Sequence, residues 1–280
     1  MQLKDLKNML LAVLARDRII LTDRAAKAVP TDVNLHWWRI PGQKQNVGDM
    51  LSVVVTDYMR SQLGLTEKAG KKSHLYTIGS IIDGGYQDAV VWGSGLLRGD
   101  KRYWWRCLRK LDVRCVRGPQ TRKTLLDNGY ACPEVYGDPA ILMPLIYPAK
   151  KSEKTYPCLV IPHYSFTTEA VYILSPMTAD WRMFVDQILK AELVVSSSLH
   201  GIILAEAYGI PAILLNDHDM NLFKYKDYYY STGRYEFPVA RTVEEAMTMT
   251  PAALPDLKSL QQGLINSFPK DLWNTNGWRK

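Results

Sequence analysis

From Asn46 onward the chain alternates short apolar runs with helical segments, and the runs repeatedly end in glycine, serine, arginine or histidine. Asp49 can cap a helix through Met50, Val53, Val54 and Tyr58, with Gly64 past its end. Leu75 to Ile82 reads as a strand, Asp83-Gly84-Gly85 as a turn, and Ala89 to Trp92 as a second strand entering Gly93-Ser94-Gly95. Val113 to Val116 is strand-like, and a helix from Thr121 to Asn128 stops at Gly129. Past the lysine-rich stretch Ala149 to Lys154 the alternation restarts. Strands are expected at Cys158 to Ile161, Val171 to Leu174, Leu193 to Val195 and Ile210 to Leu215, with helices at Asp180 to Ala191 and Gly201 to Tyr208. Short apolar strands separated by helices indicate parallel sheets covered on both faces. The expected fold class is therefore α/β, with two Rossmann-like domains over residues 1–148 and 149–280. Pro255 to Lys280 reads as a helix followed by a polar, Trp-containing tail.

The length of 280 residues suits one or two such units, and 47% apolar residues against 22% charged excludes a disordered or fibrous chain. A net charge of +7 suits anionic partners without choosing among them. Cys107, Cys115, Cys132 and Cys158 form no C-x-x-C pair and have no histidine at zinc-ligand spacing, so neither a metal site nor a disulfide framework is expected. The longest apolar run, Met9 to Ala15, falls short of a membrane span and reads as part of an amphipathic helix rather than a secretion signal. These features favour the cytoplasm. Tyr103 to Lys110 mixes tryptophans with arginines: it suits a buried helix with a solvated basic face, or peripheral contact with an anionic membrane at its inner face. No nucleic-acid module accompanies the charge.

In doubly wound sheets, ligands bind beyond the carboxyl ends of the strands. The strongest such segment is Ser196-Ser197-Ser198-Leu199-His200-Gly201, an apolar strand ending in three hydroxyls and a histidine before a helix. It suits an anion and a proton donor, and equally a plain helix cap. Arg117, beside Gly118-Pro119, can fork a carboxylate or phosphate or lie on the surface. His163 ends another strand and reads, alone, as a structural histidine. Gly93-Ser94-Gly95 lets backbone approach a ligand but lacks dinucleotide-site spacing, and Asn46-Val47-Gly48-Asp49 offers a loop and helix start for a sugar or phosphate, or only a cap.

Taken in order, Asn46 to Asp49, Val91 to Gly95, Val116 to Pro119, Val135 to Pro139, Ile161 to Tyr164 and Ser196 to Gly201 through Tyr208 to Pro211 resemble the polysaccharide pyruvyl transferase family. The resemblance implies a GT-B-like fold, two Rossmann-like domains facing across a cleft. It implies transfer of pyruvate from phosphoenolpyruvate, with no cofactor, to a sugar of a polysaccharide or lipid-linked oligosaccharide as a ketal, in exopolysaccharide or cell-surface glycan synthesis. It further implies His200 and Arg117 in the active centre, with Asn46, Gly48, Asp49, Gly93, Ser94, Gly95, His163, Ser196, Ser197 and Ser198 expected to bind substrate. Several family members carry arginine where this chain has Ser198, which implies a different donor arrangement, a compensating cation such as Arg98 or Lys224, or another donor. The competing readings are a glycosyltransferase of like architecture using a nucleotide sugar, for which Glu206 is the acid on the helix after His200, and a noncatalytic carbohydrate-binding protein.

Overall fold

A computed structural model describes residues 34–38, 45–65, 74–84, 88–99, 109–150, 152–166 and 168–273. Two parallel four-stranded sheets organise them. The first holds β1 (Asn34–His36), β2 (His74–Tyr76), β3 (Ala89–Trp92) and β4 (Leu111–Cys115), side by side in chain order. The second holds β5 (Leu159–Ile161), β6 (Val194–Ser196), β7 (Ala212–Leu215) and β8 (Val239–Ala240), also in chain order. Registers such as Leu75 with Val90 and Val195 with Ile213 set apolar residues beside one another. Every residue of β2, β3, β5, β6 and β7 is buried, as strands covered on both faces must be.

The helices explain that burial. Helix α1 (Val47–Gln62) begins at Asn46, whose side chain accepts from the N–H groups of Gly48 and Asp49, and it buries Val47, Leu51, Val55 and Met59. Helix α2 (Pro119–Asp127) starts with proline, whose fixed φ suits a first turn; α3 (Met143–Ile146) is a single turn. Helix α4 (Trp181–Leu189) is capped by Asp180, and α5 (Leu199–Ala207) is apolar almost all round because it is buried on nearly every side. Helices α6 (Phe223–Ser231), α7 (Val243–Thr248) and α8 (Lys258–Ser267) complete the set. One large apolar cluster joins residues beside both sheets, among them Leu35, Leu51, Trp92, Ile141, Ile161, Ile203 and Leu214.

Four expectations are corrected. The cap expected at Asp49 is Asn46, and Asp49 lies inside the first turn of α1. The strand expected from Leu75 to Ile82 stops at Tyr76, because Gly79 takes φ +104° and turns the chain. Val171 to Leu174 forms a single bridge, Ile173 to Val160, beside β5, and Val171 is 87% exposed. Arg109, placed on a solvated face, is buried: its guanidinium donates to the carbonyl of Ile82 at 2.7 Å and lies over the ring of Tyr76. Tyr103 to Leu108 and the amphipathic segment around Met9 lie outside the described residues.

The chain finally returns from the second sheet to the first. Trp92 in β3 donates its indole N–H to the carbonyl of Leu264 in α8 at 2.9 Å, and its ring meets Phe268 edge-on. Arg114 in β4 pairs with Asp271 at 2.9 Å, and Gln261 donates to Ile141. No helix among the described residues is long and apolar enough to cross a membrane.

Candidate active site

Both sheets end their strands at one place. Trp38 follows β1, Gly79 and Ser80 follow β2, Leu97 and Arg98 follow β3, and Arg117 follows β4. From the second sheet come His163 after β5, Ser198 after β6, and Met220 and Asn221 after β7. All of them, with Asn46 and Asp49 at the start of α1, line a single cleft of about 360 Å³. Carboxyl strand ends are where parallel sheets leave backbone groups and side chains free to meet a ligand.

His200 lies in the first turn of α5 with its side chain 12% exposed in this cleft. A glycine lets it sit there: a Cβ on Gly48 would fall 2.0 Å from Nδ1 of His200. On the other side of the ring, Nε2 is 3.7 Å from Oδ2 of Asp138, within ion-pair range but beyond a hydrogen bond, and neither buried atom has a hydrogen-bond partner. The backbone N–H of Ala140 holds the other oxygen of Asp138 at 3.0 Å, which fixes the carboxylate toward the imidazole. Asp49 completes the group. Burial pushes its carboxyl up to about 6, with Asp138 acting in the same direction and His200 and Lys224 opposing. Gly79 makes room for that carboxylate, since a Cβ there would lie 2.6 Å from Oδ1 of Asp49.

Arg117 reaches the cleft wall but is fully buried and heavily engaged. Its Nε donates to Asp227 at 3.0 Å, Nη1 to Ser80 at 2.7 Å and Nη2 to the carbonyl of Leu96 at 2.7 Å. Asp227 in turn accepts from the N–H and hydroxyl of Thr121, so one carboxylate on α6 ties down both the arginine and the start of α2. Gly95 supplies the space, a Cβ there lying 2.4 Å from Cζ of Arg117.

The three serines separate. Ser196 is buried, donating to the carbonyls of Ile161 and Ser198, and Ser197 accepts from the backbone N–H of His163 at 2.8 Å. Only Ser198 lines the cleft, and its hydroxyl makes no cap to α5. Gly93, Ser94 and Gly95 lie behind the wall: Gly93 packs on Pro139, and Ser94 donates to the carbonyl of Gly79 at 2.9 Å. His163 shares a hydrogen bond with Ser165 through Nδ1 at 2.7 Å; burial, then Lys224, lowers its pKa to about 4, so the ring is neutral at physiological pH.

Several cleft residues escape a reading of the sequence by motif. Trp38 and Tyr164 meet across the cleft with ring centroids 4.6 Å apart, and Tyr164, His163 and Phe166 continue an aromatic wall. Trp38 and Phe166 carried no motif, only a position past a short apolar run, whereas Tyr164 closes the quoted Ile161 to Tyr164 segment. Asp138 sits in the quoted Gly137-Asp138-Pro139 segment, yet its partner His200 is far along the chain. Glu206 is outside the cleft: it is buried, bonded to Tyr228 at 2.7 Å and gripped by Arg234 at 2.6 Å.

The sequence is similar to the succinoglycan biosynthesis protein ExoV of Rhizobium meliloti (strain 1021), 27% identical over 219 residues, which cover 72% of this chain and 60% of that protein. It is also similar to the uncharacterized protein L143 of Acanthamoeba polyphaga mimivirus, 28% identical over 153 residues, 49% of this chain and 51% of that protein. The chain thus spans between half and two thirds of the length of these relatives. The family described as polysaccharide pyruvyl transferase matches residues 61–219. That stretch is more than half of the chain and contains β2 through β7 with Arg117, Asp138, His163 and His200, and the protein belongs to the polysaccharide pyruvyl transferase family.

Proposed function

We propose that the protein transfers the pyruvate of phosphoenolpyruvate to a sugar of a polysaccharide or lipid-linked oligosaccharide as a ketal, in exopolysaccharide or cell-surface glycan synthesis. One observation carries this reading: His200, flanked by Asp138 and Asp49, shares a cleft with cationic side chains at the carboxyl ends of both sheets. Phosphoenolpyruvate carries a carboxylate and a phosphate on one small frame and needs a proton delivered to its methylene carbon. Such a cleft suits both demands. The same reading takes the two sheets as Rossmann-like domains in a GT-B-like arrangement.

In the proposed sequence, the methylene carbon gains a proton and becomes a methyl group while a sugar hydroxyl bonds to C2. Phosphate then departs with the C2–O bond electrons, and a second hydroxyl of the sugar closes the ketal. One hydroxyl proton is recovered in the methyl group and the other leaves with phosphate, so one phosphate is released per ketal. His200 delivers the proton to carbon or to the departing phosphate. Asp49, with its carboxyl at about 6, is mostly ionised at neutrality yet more basic than an ordinary carboxylate, and is suited to accept the proton of the attacking hydroxyl. The aromatic wall of Trp38, Tyr164 and Phe166 offers an apolar face for the acceptor ring.

A nucleotide-sugar glycosyltransferase would need a carboxylate for the ribose, and Glu206 is committed to Arg234 and Tyr228. Incubation with phosphoenolpyruvate and an oligosaccharide panel, and separately with nucleotide sugars, tests the choice: phosphate released with ketal formation supports it, and nucleotide released without phosphate contradicts it. A noncatalytic binder predicts unchanged ligand affinity and no turnover to lose in His200→Ala. We place the reaction in the cytoplasm or at the inner face of the cell membrane; failure to co-sediment with anionic vesicles at low salt would remove the membrane part.

A further inference from the structure

We propose that Lys224, in the first turn of α6, is the cation that holds the donor's phosphate in the cleft. The inference rests on the pyruvyl-transfer reading for the identity of the donor, but the anion site is argued from the geometry alone. Arg117 already donates from Nε, Nη1 and Nη2 to protein acceptors, and its charge is matched by Asp227 at 3.0 Å. Arg98 is exposed at the rim. Lys224 differs from both. It is half-buried in the cleft, its Nζ lies 4.8 Å from the ring centroid of Tyr225, and among the described residues no carboxylate comes within ion-pair distance of it. An ammonium has three donors and is strongly hydrated, so holding one in a poorly hydrated place against a ring and without a carboxylate is unfavourable.

The groups that act on it sharpen the case. Burial, then the positive charge of Arg117, lowers the pKa of Lys224 to about 8, while Asp49 on α1 pulls the other way. His163, after β5, is itself held neutral partly by Lys224, and His200 on α5 shares the same cleft wall. On its own helix the nearest acid, Asp227, is turned to Arg117 and Thr121. Two cations therefore face a space in which Asp49 is the opposing carboxylate. A dianionic phosphate placed there gains the unused donors of Lys224 and relieves its repulsion from Arg117. Ser198 and Asn221 line the same cleft and can donate to the remaining oxygens.

Because Lys224 loses its proton near pH 8 while a phosphate monoester is fully ionised well below that, donor affinity falls as pH rises from about 8. The test is calorimetric binding of phosphoenolpyruvate, and separately of inorganic phosphate, to the full chain between pH 7.5 and 9.5. For the unmodified protein the expected loss approaches about tenfold per pH unit above that point. Lys224→Met binds about ten- to hundredfold more weakly and without this slope, as loss of a charged hydrogen bond predicts. Lys224→Arg restores affinity and stays flat to pH 9.5, because a guanidinium does not titrate there. Lys224→Met with unchanged affinity and slope overturns the inference while leaving the transferase reading intact. Binding of phosphate through Lys224 without binding of phosphoenolpyruvate upholds the anion site and overturns the donor. Binding of neither anion to the unmodified protein overturns both.

Discussion

At the scale of single residues, the position of His200 in the cleft depends on what is missing from Gly48 and on what Asp138 holds in place. A methyl group on Gly48 would fall inside the imidazole of His200, so Gly48→Ala must push the ring out of position. Displacements near 1 Å cost about a hundredfold in rate. Gly48→Ala is expected to lose about that factor in kcat for phosphate release with a smaller change in donor affinity. Asp138→Asn keeps an acceptor for the N–H of Ala140 but removes the charge facing Nε2 of His200. It is expected to lower kcat at least about tenfold and, because Asp138 helps hold the Asp49 carboxyl up, to move the acidic limb of the kcat pH profile to lower pH, which a purely structural role would leave in place. Much of this was legible one residue at a time: Asn46, Asp49, His163, Ser198 and His200 all stand just past an apolar run or at a helix start, and all of them line the cleft. What the residues do to one another was not legible. Gly93 and Ser94 share the pattern of binding loops, yet they pack against Pro139 and the turn at Gly79, contacts set by folding rather than by neighbours in sequence.

At the scale of elements, the ion pair of Arg117 with Asp227 joins the end of β4 to α6, and the same carboxylate caps α2. Both side chains are fully buried, so removing the cation strands a charge in the interior. Arg117→Met is therefore expected to lose about 3–5 kcal/mol in urea unfolding, since breaking one partner of a buried pair costs about that much. A drop in activity in that variant reports stability as well as donor binding, whereas Lys224 variants report binding more cleanly. The second tie is α8, which carries the chain back to the first sheet. Trp92→Phe removes the bond to the carbonyl of Leu264 and is expected to cost about 1–3 kcal/mol, read in the same experiment. The strands and helices expected from apolar runs and caps lie within a few residues of those observed, except at Gly79 and at Val171 to Leu174, whereas β1, β8, α3, α6 and α7 were not read from the sequence. The destination of α8 was invisible, because an amphipathic helix states which face is apolar and not which surface it covers.

At the scale of the whole molecule, two parallel sheets share one apolar core and present their carboxyl edges to one cleft that is held ionised against burial. Asp49 has its carboxyl raised from 3.8 to about 6, so between those values the folded state binds more protons than the unfolded one. Stability from this group therefore falls as pH rises through that window. Lys224, lowered from 10.5 to about 8, gives the opposite slope: the unfolded chain holds the proton longer, and stability rises between about 8 and 10.5. Both groups are charged, and both are unfavourable to folding, in the interval between. Asp49→Asn is accordingly expected to be more stable than the unmodified protein by about 1–2 kcal/mol at pH 7, to lose that advantage below pH 4, and to have little activity, as measured by urea unfolding and phosphate release. The measurement that bears most directly on the account is a crystal structure with phosphoenolpyruvate bound. The account predicts the phosphate against Lys224 and either the methylene carbon or the bridging phosphate oxygen within about 3.5 Å of a nitrogen of His200; a donor bound elsewhere, or bound in the cleft with the imidazole out of reach of both, contradicts it.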